Sequence, residues 1–241
     1  MLSSSFAHFS RASRVYRNVN GMSTRAGTVQ EDLRALLRET AQPVAVVTAL
    51  KDTATNSQVG QASSPFHGAT LSSFSSIAME PHPLVTFALR IPSRMATSLT
   101  SAHSSGNTHS HMVINILSEH QAETAKRFSR ADLYPEPFAS LPYTLTKEGL
   151  PILDGSLGAM SCRLVAASWP LHDLESLNNR GKEGRAEWRG EGVASELFIA
   201  QVTRVERAPS IAETVRPLLY YRRGYVTTHD IGTKSGSDSS S

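Results

Sequence analysis

Two short segments carry residue types suited to holding an anion. The first, Gly68-Ala69-Thr70-Leu71-Ser72-Ser73-Phe74-Ser75-Ser76, places five hydroxyls within seven residues, each able to donate and accept a hydrogen bond. Period-two alternation sets Ser72 and Phe74 on one side and Ser73 and Ser75 on the other, so one ligand would meet only part of the set. The second, Ile91-Pro92-Ser93-Arg94, follows Leu84-Val85-Thr86-Phe87-Ala88-Leu89, an apolar run that reads as a strand between Pro83 and Pro92. Pro92 ends that strand, and Ser93 stands where an N-cap belongs for a helix over 94–102. The first turn of a helix has unpaired N–H groups and a partial positive charge, so an arginine there is disfavoured by roughly 0.3–1 kcal/mol. A phosphate on a small cofactor would remove the conflict at Arg94. An arginine turned into solvent is the other reading these residues leave open.

The elements that must position these groups are mostly strands. Pattern and turn residues predict strands over 44–50, 59–64, 70–78, 84–90, 112–117, 158–168, 196–206 and 218–227, with helices over 29–40, 94–102 and 119–129. Many strands, few helices and no βαβ rhythm point to a mainly β barrel with peripheral α-helices. Neither a G-x-G-x-x-G nor a Walker-type loop occurs. Three segments read as polar additions: 103–111, 171–192 with Trp188 inside it, and the serine-rich tail 232–241. His109 and His111 have metal-ligand spacing, but neither carboxylate nor cysteine is close in sequence, so a solvated loop and no metal site are expected.

Composition narrows the class further. A chain of 241 residues with 39% hydrophobic content suits one domain, 29–231, with polar appendages. No apolar run is long enough for a membrane-spanning helix. Cys162 is the only cysteine, which excludes an intramolecular disulfide, and its apolar-alternating surroundings suggest a buried structural thiol. The net charge of +3 has a local origin, since Arg11, Arg14, Arg17 and Arg25 all precede the first acid, Glu31. The remainder is close to neutral, so charge offers no argument for nucleic-acid binding. The Arg- and Ser-rich segment 1–28 has the composition of a mitochondrial presequence, with a disordered basic tail as the equal alternative. Initiation at Met22 would remove most of it and leave a cytoplasmic product.

Several motifs, in order, resemble the flavin reductase-like family of FMN-binding split β-barrels. Pro43 to Thr48 resembles its first barrel strand, Gly68 to Met79 its T-x-S-S-F-x-S segment, and Ser93-Arg94 its phosphate motif. Val113 to Leu117 resembles the F-x-V-N-V-L strand, with Ala125 to Phe128 the helix after it. Gly149 to Gly155, continuing to Cys162-Arg163, resembles a G-x-P-x-L-x-G…C-R strand pair, and Pro217 to Tyr225 the closing P-L-x-Y…Y segment. The resemblance covers roughly 33–226. It implies that Thr70, Ser72, Ser73 and Ser76 line the ring and ribityl chain of FMN and that Ser93 and Arg94 hold its phosphate. Phe128 and Tyr225 are implied at the rim of the flavin pocket, where ordinary core packing is the competing reading.

Further implications of the resemblance are NADH or NADPH as reductant, a homodimer with the flavin at the subunit interface, and a possible partner oxygenase as electron acceptor. The activity implied is hydride transfer from NAD(P)H to flavin. Such chemistry resides in the cofactor, which accords with the lack of any acid–base or nucleophilic constellation and leaves no catalytic side chain to name. One departure matters. Many members carry G-D-H before the strand matched here by Leu197 to Val202, whereas this chain has Val193-Ala194-Ser195-Glu196. The family histidine that lies near the nicotinamide is absent, and Met95 replaces the usual threonine after S-R. A flavin-binding protein with little reductase activity, or an oxidoreductase acting on a dedicated small organic substrate shaped by 171–192, are therefore the alternatives.

Overall fold

The computed structural model describes residues 28–51, 64–106, 108–172, 194–206 and 215–229. Compactness divides the chain into Met1–Leu37 and Arg38–Ser241. The described part of the first unit is essentially α1 (Val29–Arg38), which ends close to the expected boundary. Its start is a reciprocal cap: the Thr28 N–H donates to Glu31 Oε2 at 2.8 Å, and the Glu31 N–H to Thr28 Oγ1 at 3.3 Å. Leu33 and Leu36 form a helical stripe yet remain exposed.

The second unit runs β1 (Gln42–Pro43), β2 (Ala45–Leu50), β3 (Phe66–Leu71), β4 (Ser75–Ala78), β5 (Leu84–Ile91), α2 (Arg94–Ser104), β6 (Met112–Ile116), α3 (Ala122–Ser129), β7 (Tyr143–Leu145), β8 (Pro151–Leu153), β9 (Gly158–Leu164), β10 (Trp169–Pro170), β11 (Ala194–Glu206), β12 (Leu219–Tyr221) and β13 (Gly224–Val226). The main sheet has the order β3-β2-β6-β9-β11-β5-β4, with β10 also on β11, and every pairing is antiparallel. It curls into a half-barrel.

Burial explains the strand patterns. β2 is buried at every position from Ala45 to Ala49 because both faces are covered. Ala45, Val47 and Ala49 point into the barrel core, while Val46 joins a second cluster under α3 with Phe66, Phe128 and Phe138. On β5, strict alternation sends Val85, Phe87 and Leu89 inward. Phe87 stacks on Phe198 of β11 with ring centroids 5.4 Å apart. Met95, Ala96 and Leu99 of α2 close the same core, and Cys162 is fully buried there, its thiol pushed up to about 12 by burial.

A polar pair within this framework has a purely structural function. Asn115 donates from Nδ2 to Val46 O at 3.1 Å and to Thr48 Oγ1 at 3.3 Å, and its Oδ1 accepts from Leu153 N at 2.9 Å. Thr48 Oγ1 donates to Pro151 O at 2.6 Å, so two buried polar side chains pin β8 against the sheet with their hydrogen bonds satisfied.

Several expectations need correction. The predicted strand over 70–78 is two strands separated by a turn at 72–74, because the chain leaves the β2 edge and returns on β5. The C-terminal strand over 218–227 is a hairpin whose turn residues Arg222 and Arg223 have φ of 46° and 66°. Positive φ at both central positions matches the right-handed twist of the flanking strands. The segments resembling a strand pair, β8 and β9, are not partners: β8 pairs with β7, and β9 with β6 and β11. α2 continues to Ser104, and Ser110 and His111 are buried, so 103–111 is not a solvated loop throughout. The His111 ring accepts from Leu164 N through Nδ1 at 3.3 Å. Among the described residues, no group of histidine, cysteine or carboxylate side chains is placed to hold a metal ion, and no helix is long and apolar enough to cross a membrane. The predicted strand 59–64 lies almost wholly outside the described residues, as do most of 171–192, all of 232–241 and nearly all of 1–28.

Candidate functional site

A cavity of about 710 Å³ opens where β3, the 72–74 turn, the end of β5, the head of α2 and α3 meet. Its size lies within the range of small-molecule and cofactor sites. The two segments singled out from sequence converge on it: Thr70, Ser72 and Ser73 line it from one side, Ser93 and Arg94 from another, and Phe128 and Tyr225 also contribute. Ser76 does not. It sits exposed on β4, paired opposite Val85, because the turn at 72–74 carries the chain away from the cavity. Alternation within one strand was the wrong frame for Ser72 and Ser73, which share a turn and face the same space.

Local structure explains each group. Ser93 is the N-cap of α2, its Oγ accepting from Ala96 N at 3.4 Å and its carbonyl from Thr97 N at 3.1 Å. The first turn contains no acid, so the partial positive charge at this end of the 11-residue helix is unopposed from within. Arg94 is exposed, and no carboxylate among the described residues pairs with it. The Ser73 hydroxyl accepts from Ala88 N at 2.8 Å and donates to Ala88 O at 3.2 Å, tying the turn to β5. Thr70 Oγ1 donates to Ala125 O at 2.6 Å, which fastens α3 to β3. Only Ser72, of the three lining hydroxyls in this segment, makes no hydrogen bond within the described protein.

Aromatic residues form the opposite wall. Phe128 is buried, 5.0 Å from Phe138 in an edge-on arrangement, so it is both core and lining. A β-carbon on Gly68 would lie 2.3 Å from its Cε1, so glycine is what lets the ring settle against β3. Tyr225 packs 5.6 Å from Tyr220, and burial, reinforced by that neighbour, raises its hydroxyl pKa above the usual phenol range. These two aromatics therefore pack with the aromatic cluster and also line the cavity.

Arg94 shares the cavity with three cations not assigned to it from sequence. Lys51, Arg90, Arg94 and Arg127 line it, and among the described residues no aspartate or glutamate does. Lys51 is held 3.7 Å from Glu136, which flanks the cavity. Arg127 reaches the Ser140 hydroxyl and lies 5.6 Å over the ring of Tyr134. His67 is half-buried among them, and burial, then Lys51 and Arg94, lower its pKa to about 4 against a weaker opposing pull from Glu136.

At the position of the missing family histidine, Ser195 on β11 lies opposite Arg90 on β5 in the ladder, and Ala194 lies opposite Ile91. Val193 is outside the described residues.

A pocket that cations but no carboxylate line among the described residues, walled by aromatics and a helix N-terminus, has the chemistry to hold an anionic aromatic ligand. Residues 37–229 match the family described as flavin reductase like domain. Over 158 residues the chain is 32% identical to HsaB, the reductase subunit of a flavin-dependent monooxygenase from Rhodococcus jostii, spanning 66% of this chain and 63% of that protein. The match thus covers less than two thirds of that relative's length. Over 206 residues it is 29% identical to an NADH:FMN oxidoreductase of Rhodococcus qingshengii, covering 86% of this chain and 85% of the other. In fold it resembles the styrene monooxygenase flavin reductase of Pseudomonas putida S12, with a TM-score of 0.56 at 23% identity over 82% of this chain and 97% of that one. A domain match across residues 37–229, on a curled half-barrel of the split-barrel type, places this chain in the flavin reductase-like family.

Proposed function

We propose that the chain is an NAD(P)H-dependent flavin reductase whose cavity holds FMN. The observation that carries this reading is the convergence of Ser93 and Arg94 with Thr70, Ser72 and Ser73 on one cationic cavity that no carboxylate lines among the described residues. Ser93, Arg94 and the N–H groups at the head of α2 would bind the phosphate, and the β3 edge with the 72–74 turn would lie along the ring and ribityl chain. Phe128, Tyr220 and Tyr225 would exclude water from one side. Bound flavin supplies the two-electron chemistry that no side chain here supplies, accepting hydride from NADH or NADPH. The similarity to an NADH:FMN oxidoreductase supports this chemistry.

The similarity to a monooxygenase reductase subunit supports an oxygenase partner that consumes the reduced flavin. A homodimer and a mitochondrial address for the segment 1–28 complete the proposal, with a cytoplasmic product as the alternative for the latter.

A second reading rests on β11. With Ser195 beside Arg90 and the histidine of the G-D-H family motif missing, the chain would bind flavin yet turn over NAD(P)H slowly. Purified protein incubated with NADH or NADPH, with and without added FMN, separates the two. Rapid nicotinamide oxidation that requires flavin supports reduction. A yellow protein that leaves both nicotinamides untouched supports the second reading, and a protein that does neither defeats both.

A further inference from the structure

We propose that His67 is a specificity-determining residue of this cavity, taking up a proton when a phosphate binds beside Arg94 and so favouring phosphorylated flavin over riboflavin. The inference rests on the flavin reading above.

The geometry is that of a half-buried imidazole with no hydrogen-bond partner among the described residues. His67 lies on β3 between Phe66 and Gly68 and lines the cavity, and its ring makes no hydrogen bond to the described protein. The charged groups facing it come from several elements. Lys51 follows β2, Arg94 heads α2, and Glu136 lies in the segment before Pro137. Arg90 at the end of β5 and Arg127 of α3 line the same cavity. Lys51 and Arg94 repel a further positive charge and burial disfavours one, so the ring is neutral near neutrality, with its pKa down to about 4.

A phosphate among these groups reverses the balance, because it brings roughly two negative charges and three strong acceptor oxygens. The imidazole then gains an opposite charge within reach and can donate from both nitrogens. Its pKa must rise on binding, so the complex takes up a proton at His67 between the free value of about 4 and the higher bound value. The second ionisation of a phosphate monoester, near about pH 6, acts in the opposite sense, because a site preferring the dianion gains affinity as pH rises. In the parent protein the proton released by the phosphate is offset by the one His67 takes up. Riboflavin has no phosphate and drives neither change.

The test is calorimetric titration of FMN and riboflavin into the parent protein and into His67→Gln, in buffers of different ionisation enthalpy. From about pH 5.5 to about pH 7.5, FMN affinity of the variant should rise roughly three- to fourfold while that of the parent stays within about twofold. The parent should bind up to one proton more per FMN than the variant, with no such difference for riboflavin. Equal proton counts and equal pH slopes in the two proteins would overturn the inference. Should the variant not fold, the parent with labelled histidine decides. At about pH 6, one of its nine imidazoles should become protonated on adding FMN and not on adding riboflavin, and unchanged spectra would overturn the assignment. Failure of the parent to bind FMN at all would instead defeat the flavin reading, and this inference with it.

Discussion

The ring of Phe128 occupies the space that a β-carbon on Gly68 would need, its Cε1 only 2.3 Å from that point. Phe128 is also buried against Phe138 and lines the cavity, so one contact couples the aromatic cluster under α3 to the cavity wall. Gly68→Ala must push the ring off β3, and overpacking of this kind costs about 1–3 kcal/mol. Urea unfolding should show that loss, and FMN affinity should fall with it. An unchanged midpoint would mean that Phe128 has room to move.

Arg94 forms no ion pair within the described protein and lines the cavity beside the cap of α2. Its replacement by alanine should leave stability nearly unchanged while weakening FMN binding by about 1.5–3 kcal/mol, the scale of a hydrogen bond to a charged group. Riboflavin should lose far less. Flavin fluorescence titration checks both, and equal FMN affinity of variant and parent would remove Arg94 from the site.

Ser72 and Ser73 are adjacent and chemically alike, yet their substitutions should differ in kind. Ser73→Ala leaves the Ala88 N–H without its acceptor at 2.8 Å and should destabilise the fold by about 0.5–1.5 kcal/mol. Ser72→Ala breaks no hydrogen bond of the described protein and should affect ligand affinity alone. Paired unfolding and binding curves distinguish the two, and identical stability losses would contradict this division.

How much of this arrangement could be read from residues alone depends on how local its causes are. The strand at 84–91, the break at Pro92 and the cap at Ser93 follow from neighbours in sequence, and the structure has them within a residue or two of expectation. The division of 70–78 was hidden because a run of serines has no glycine or proline to mark the turn. The family resemblance places Ser76 with the other hydroxyls, and the turn carries it away from the cavity. The hairpin of β7 and β8 depends on Asn115 and Thr48 reaching across from other strands, and no local pattern announces such a contact. His67, Arg90 and Arg127 enter the cavity from β3, β5 and α3, so their shared electrostatics exist only after the sheet has curled.

Away from the cavity, Arg204 binds Glu148 through two contacts of 3.1 and 2.8 Å and also pairs with Glu206. The Arg204 hydrogen bonds hold the Glu148 carboxyl down to about 2, well below its ordinary 4.5, despite an opposing effect of burial. A depressed folded-state value means that this pair adds stability above about pH 4.5, which is lost as pH falls towards about 2. Glu148→Gln should therefore lower stability at neutral pH and flatten the acid limb of the stability curve over that interval. Thermal melts across the acid range provide the check, and parallel curves for parent and variant would show that the pair is not what acid breaks.

The bond between Ser73 and Ala88 has one more result. It fastens the loop facing the cavity to the very strand that leads into Arg94, so the two sides of the proposed cradle are set relative to each other before any ligand arrives. A guest would then lose little free energy in arranging its host at that seam.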